Sequence, residues 1–312
     1  MDPRRLLIFD TVVKNHSIGA AARELGWTQP AVSQHLSALE KETGMQLLLR
    51  SSGGVTPTEA GTRLAVHAAQ IAKTMKAATT EMEDIVALKK GRVRFTTFPS
   101  AAAVLLPPTL AEMTERHPGI ALSFNEMEPP EAIAGIAANT IDVAMIFRYP
   151  DTKLDDEGRL EWTPILEDQV RLVLPKDHPL AQKEHLSLSD FAEDEWIAGC
   201  ERCSANLMCA ADAAGFTPRV RYSTDDSTVV QRLIAHGTGI ALMSDVSLES
   251  APNHDVVVRT VDGVPPRTIG IVNRPGAMKI PAISEFAGIL CHQAAHHGSA
   301  ISPCSGPASP LA

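Results

Sequence analysis

Apolar residues in the first ninety positions recur at helical spacing, in short segments separated by glycine and small polar residues. Leu6, Phe9 and Val13 make one stripe, with Asp2 as its cap and Pro3 in its first turn. Ser17 caps a second segment, where Ala20, Ala21 and Leu25 form an apolar side and Gly26 ends the helix. Thr28 caps a third, with Pro30 in the first turn, where its missing N–H costs nothing. Within it Val32, Leu36 and Leu39 fall at i, i+4 and i+7 and must face inward. Gln29, Ser33 and Ser37 fall on another face, with Gln34 beside them. Residues 46–50 and 55–56, around a turn at 51–54, predict a two-stranded wing.

Thr58 then caps a long helix with Glu59 in its first turn. Leu64, Ala68, Ile71, Met75, Ala78, Met82 and Ile85 recur along it at alternating spacings of four and three, a heptad seam. The plainer alternative is an amphipathic helix packed on its own domain. A small preceding unit offers little core for so long a helix, which favours the seam. Lys89, Lys90 and Gly91 end the helix, and short apolar runs then alternate with helical stretches, the mark of α/β units. Strands are expected over 93–98, 120–124, 142–146, 170–175, 196–198, 219–222, 240–243, 256–260 and 267–272. Helices are expected over 101–117, 130–139, 188–191, 205–214, 227–236 and from 280 onward.

A chain of 312 residues exceeds one typical domain. No apolar run reaches the ~18–20 residues that span a bilayer. The first residues also lack a signal-peptide core and cleavage site, so a cytoplasmic location is expected. A net charge of −9 argues against a generic nucleic-acid binder. Arg4, Arg5, Lys14, Arg23, Lys41 and Arg50 balance Asp2, Asp10, Glu24, Glu40, Glu42 and Glu59 in the first sixty positions. Contacts to a DNA backbone would therefore depend on where the bases lie, and on dimerisation doubling them.

The string AAxxLxxTQPAVSQHLxxLExxxGxxLLxR, followed by TPTEAG, resembles the N-terminal domain of LysR-type transcriptional regulators. The likeness continues more weakly to about Leu290. It implies a multidomain α/β protein: a winged helix-turn-helix over 1–58, a dimerising linker helix over 59–90, and an effector domain over 91–292. That domain would have the two-lobed type 2 periplasmic-binding-protein fold, with lobe I at about 91–164 and 265–292 and lobe II at about 165–264. Crossings between lobes are expected near 149–166 and 261–266. Residues 293–312, rich in Ser, Pro, Gly and Ala without a period, read as a disordered tail.

The resemblance further implies a homotetramer, double-stranded operator DNA and a small-molecule effector as partners, and RNA polymerase as a candidate further contact. The seven seam residues would pair two subunits antiparallel. Thr28, Gln29, Pro30, Ser33, Gln34, Ser37 and Arg50 are the candidate DNA-binding residues. Amides can pair bidentately with adenine, and hydroxyls can bond to bases or phosphates. Many relatives carry an arginine where this chain has Gln34, which predicts modest affinity per DNA-binding unit.

For the effector, the candidates are Ser100, Arg148, Cys200, Arg202, Ser204, Thr224 and Asp225. Ser100 opens a helix after the first strand, either as a simple cap or as part of an anion site. Arg148 would meet a ligand carboxylate or a surface partner. The segment GCERCS, residues 199–204, lies between a strand and a helix at the equivalent edge of the other lobe, and Ser227 or Thr228 reads as a cap. An anionic, carboxylate-bearing ligand is expected, with no cofactor and no metal.

Cys200, Cys203 and Cys209 cluster, whereas Cys291 and Cys304 are distant. A C-x-x-C pair invites a metal or redox reading, yet no second pair with zinc-ribbon spacing follows. Distant ligands such as Cys291 with His292, His296 or His297 would be needed. The spacing of Cys200 and Cys209 is similar to the disulfide pair of peroxide-sensing members of the family, although the AAGF landmark sits at another offset. Structural, redox and metal roles all stay open. An enzyme on the α/β half is opposed by the lack of G-x-S-x-G, P-loop and G-x-G-x-x-G motifs. A transport-type solute binder is opposed by the attached DNA-binding unit.

Overall fold

The computed structural model describes residues 1–51, 53–150 and 159–296, and the backbone of 299–300. Two compact units divide the chain, Met1–Val86 and Ala87–Ala312. Among the described residues, no helix is long and apolar enough to cross a membrane.

The first unit runs α1 (Pro3–Asn15), α2 (Ile18–Leu25), α3 (Gln29–Thr43), β1 (Leu48–Ser51), β2 (Gly54–Pro57) and α4 (Glu59–Val86). Asp2 and Ser17 cap α1 and α2 by accepting from the Arg4 and Ala20 amides. Gly26 and Gly44 end α2 and α3 in the left-handed conformation. Thr28 stands at the cap position of α3, but its side chain makes no capping bond. Thr58 accepts from the Gly61 amide at 3.0 Å at the start of α4. Phe9, Val12, Val32, Leu36 and Leu39 form the core with Ala68 of α4.

That packing splits the expected seam. Ala68 is fully buried in the core of its own unit, and Leu64 and Ile71 pack against the same cluster. Met75, Ala78, Met82 and Ile85 are exposed. The length of the core beneath the helix explains the division: α4 passes over α1 for its first turns and then runs clear of the small core.

In the second unit, β3 (Gly91–Thr97), α5 (Pro99–Arg116), β4 (Ile120–Glu126), α6 (Pro129–Ala137), β5 (Val143–Arg148) and β6 (Glu161–Asp168) come first. Next are β7 (Val170–Pro175), β8 (Glu195–Ala198), α7 (Glu201–Ala213), β9 (Arg219–Ser223), α8 (Ser227–Ala235), β10 (Ala241–Ser244), α9 (Asp245–Ser250), β11 (Val256–Arg259), β12 (Arg267–Asn273), α10 (Pro281–Ala294) and β13 (Ser299–Ala300). A six-stranded sheet has the order β13-β6-β12-β5-β3-β4. Strands β10-β7-β11 form a second sheet, and a bridge from Trp196 to Ile240 ties the β8-β9 pair to it.

Strand β6 and helix α9 were not expected from the sequence. Strand β6 contains Pro164, which ordinarily argues against a strand. Here Leu166 pairs with Ile269 and Pro164 with Gly270, so Ile165 is bulged out of the ladder. Gly270 permits the bulge, since a Cβ there would lie 2.5 Å from the Thr163 carbonyl oxygen. Because β6 stays in the first sheet to Asp168 and β7 starts the second at Val170, the chain crosses at Gln169, after the expected 149–166 stretch. The last helix continues through buried Ala294, and Ser299–Ala300 pairs with β6, inside the segment expected to be disordered. Residues 301–312 lie outside the described part.

Candidate functional site

In the first unit, Thr28, Gln29, Pro30, Gln34, Ser37 and Arg50 are exposed and Ser33 is half-buried. The period of α3 places these polar residues opposite buried Val32, Leu36 and Leu39. The wing is held to this helix by Glu40, whose Oε1 accepts from the Leu47 amide at 2.8 Å and the Leu48 amide at 3.2 Å. On its other strand the Val55 amide donates to the His16 carbonyl at 2.9 Å. Gly54 has φ 122°, and a Cβ there would lie 2.5 Å from the His16 oxygen, so this contact requires glycine. Helix α3 and Arg50 are thus presented by one rigid scaffold.

In the second unit, a cavity of about 70 Å3 lies at the carboxyl ends of strands from both sheets. The first turns of four helices converge on it: Ser100 of α5, Glu128 before α6, Cys200 before α7 and Ser227 of α8. Helix N-termini carry partial positive charge and free N–H groups, so such convergence favours an anionic or strongly polar guest.

Of the candidate effector residues, Ser100, Cys200, Thr224 and Asp225 line this cavity. Ser100 is not the helix cap, because Phe98 holds that position. Arg148, Arg202 and Ser204 do not line it. The alternation of β5 explains Arg148: Phe147 and Tyr149 point to the cavity, whereas Arg148 lies over the Trp162 ring at 5.4 Å. Arg202 lines a second, larger depression of about 530 Å3 together with Cys209 and donates to the Phe147 carbonyl at 3.4 Å. The Ser204 hydroxyl is turned back to the Gly199 carbonyl at 3.2 Å. Helix α7 begins at Glu201, so the helix expected from 205 starts four residues earlier, within GCERCS. Asp226, rather than Ser227 or Thr228, caps α8.

Among the described lining residues the cation is Arg267, the first residue of β12 and not one of the candidates that the sequence suggests. Its Nε donates to Asp168 at 2.8 Å, and its guanidinium lies 5.0 Å from the Phe98 ring centroid and 4.4 Å from that of Phe147. Its Nη2 is buried without a hydrogen-bond partner. Glu128 Oε2 is likewise buried and unpaired, and burial pushes this carboxyl above its ordinary range, with Asp225 adding to the effect.

Cys200 and Cys203 share a hydrogen bond, and the Tyr149 hydroxyl donates to Cys203 Sγ at 3.6 Å. The bond from Cys200, aided by the Arg267 charge and the Tyr149 hydroxyl, lowers the Cys203 thiol to about 7 despite burial. The same shared bond and burial push Cys200 up. Among the described residues, no cluster of three or more His, Cys, Asp or Glu side chains is arranged to hold a metal ion.

Residues 3–62 match the family model described as bacterial regulatory helix-turn-helix protein, lysR family, and residues 87–295 match the LysR substrate binding domain. CfxR of Cupriavidus necator, a transcriptional regulator, is 30% identical over 245 residues, 77% of this chain and 75% of its own. A full-length OxyR variant from Pseudomonas aeruginosa superposes with TM-score 0.75 at 18% identity, covering 93% of this chain and 99% of that one. Full-length CbnR in complex with its target DNA does so with TM-score 0.58 at 21% identity, covering 94% and 100%. LysR regulators bind DNA and small-molecule effectors and self-associate. With both of its units matched, the chain belongs to the LysR family, and it is a DNA-binding transcriptional regulator with an effector-binding domain rather than an enzyme.

Proposed function

We propose that this regulator reads DNA with the exposed face of α3, and that its output is set by a small polar effector held in the cavity of the second unit. On the DNA side, Gln29, Ser33, Gln34 and Ser37 supply neutral donors and acceptors, and Arg50 on the wing supplies a phosphate contact. The exposed apolar residues Met75, Ala78, Met82 and Ile85 on the distal part of α4 form the self-association surface. Pairing there doubles the few backbone contacts that a charge-balanced DNA-binding unit can make.

The observation that carries the effector reading is the buried, unpartnered Nη2 of Arg267 at a cavity ringed by four helix starts. A ligand carboxylate or other oxyanion satisfies that donor, with Ser100 and Thr224 as hydroxyl contacts from the two sides. It shifts the regulator only by its difference in affinity between conformations. Thermal-shift screening of small organic acids tests the reading. Stabilisation should be lost in Ser100→Ala and Thr224→Ala and kept in Arg148→Ala, which lies on the other face of the sheet. An acid whose effect depends on Arg148 and not on Ser100 would place the ligand elsewhere.

A further inference from the structure

We infer that Cys203 and Cys200 form a reactive dithiol within the effector cavity, Cys203 as nucleophile and Cys200 as resolving thiol, closing to a Cys200–Cys203 disulfide on reaction with a small hydroperoxide. Cys203 is the third residue of α7, where the unsatisfied amides of a helix start favour a sulfur anion. The Tyr149 hydroxyl points at its Sγ, and Arg267, with its free buried nitrogen, lines the same space. Cys200 lies against both Cys203 and the Glu128 carboxyl, surroundings that disfavour an anion. One thiol is therefore prepared to attack and its neighbour to remain protonated until needed.

The geometry also selects the pair. Three residues within one helical turn span roughly 5 Å, inside the Cα separation a disulfide accepts. Cys209 is six residues beyond Cys203, about 9 Å along the helix axis, and out of disulfide reach while α7 persists. It is exposed and lines the other depression.

The chemistry balances without a cofactor. Cys203 thiolate attacks the terminal oxygen of the hydroperoxide and the O–O bond breaks, leaving Cys203 sulfenic acid and an alkoxide or hydroxide that leaves protonated, as alcohol or water. Cys200 then gives up its proton and attacks the sulfenic sulfur. The S–S bond forms as hydroxide departs with that proton as water. Two thiols are oxidised and one hydroperoxide is reduced.

The test treats the reduced full-length protein with hydrogen peroxide and maps the cysteines by alkylation and peptide mass spectrometry. Wild type and Cys209→Ser should form the Cys200–Cys203 disulfide. Cys200→Ser should accumulate a dimedone-trapped sulfenic acid at Cys203, and Cys203→Ser should lose the reaction. Cys203 should oxidise roughly threefold or more faster than Cys209 at pH 7, because the Tyr149 hydroxyl and the helix start favour its thiolate. In Tyr149→Phe the pH midpoint of iodoacetamide alkylation at Cys203 should move upward. Oxidation at Cys209 first, a disulfide through Cys209, or reaction with oxidised glutathione as fast as with peroxide overturns the inference. The dithiol shares the cavity with the effector reading but not its ligand. Acid binding retained in Cys203→Ser with no oxidation in wild type sinks the dithiol alone, and the reverse result sinks the effector alone.

Discussion

Arg267 and Asp168 face each other across β12 and β6, joined by a 2.8 Å bond from Nε to the carboxylate. Their side chains are 3% and 0% exposed, which makes this a buried ion pair. Asp168 also accepts from the Val246 amide at 3.1 Å, so one carboxylate ties the start of α9 to the first sheet. Removing one member leaves the other charge uncompensated in the interior. Arg267→Met should destabilise the protein by about 3–5 kcal/mol in urea unfolding. Arg267→Met with Asp168→Leu should recover much of that loss. If the single variant unfolds at the wild-type midpoint, the pair is not the structural tie described.

The DNA-reading face separates binding from folding. Gln34→Ala should weaken specific operator binding by roughly 1–3 kcal/mol if the amide reads a base, with no change in thermal stability. Leu36→Ala, two residues further along α3, should instead cost about 2–5 kcal/mol of stability, because that side chain is buried in the core. Fluorescence anisotropy and thermal unfolding on the same samples distinguish them. Unchanged affinity in a Gln29, Ser33 and Gln34 triple alanine variant would remove α3 from the groove.

Helix α4 should respond differently along its length. Aspartate at Met75 and Met82, both about half exposed, should reduce the oligomer seen by light scattering while circular dichroism and melting stay near wild type. Aspartate at fully buried Ala68 should unfold the first unit whatever the concentration. A wild type that is monomeric at micromolar concentration would dismiss the distal surface.

Glu128 supplies a pH test. Its carboxyl is raised in the folded state, chiefly by burial, so the folded protein holds this proton more tightly than the unfolded chain. That contribution to stability is complete below the unfolded pKa of about 4.3 and is lost as pH rises through the higher folded value. Glu128→Gln, which resembles the protonated form, should therefore match wild type in acid and exceed it in stability toward neutrality. Chemical unfolding at a series of pH values measures the gap, and a gap that narrows with rising pH contradicts the assignment.

Much of the first unit was legible because its signals are local. Caps, helix-ending glycines and apolar periods act within a few residues, and Asp2, Ser17 and Gly26 do what their types suggest. The cavity was legible only where a residue stands next to a strand end, as with Ser100, Cys200 and Thr224. Arg148 and Arg267 show the limit. Their register partners, Thr268 and Asp168, come from strands far along the chain, and only that pairing decides which arginine faces the cavity. Strand β6 was hidden by Pro164, since the bulge that accommodates it depends on Gly270, over a hundred residues away. Period alone could not divide α4, because the extent of the core beneath it is a tertiary fact.

The chain leaves the six-stranded sheet just after Asp168 and re-enters it at Arg267, two residues paired on one rung. A swing of the second sheet against the first would turn about that rung, because the chain passes between the sheets there. A ligand gripped by Arg267 alone thus sits at the pivot and has almost no lever arm, however tightly it binds. One that also reaches Ser100 and Thr224, on opposite sides of the cavity, pulls at a radius. Ligands of equal affinity can then differ in output, the one that spans the rim acting as inducer and the one confined to the pivot as a silent competitor.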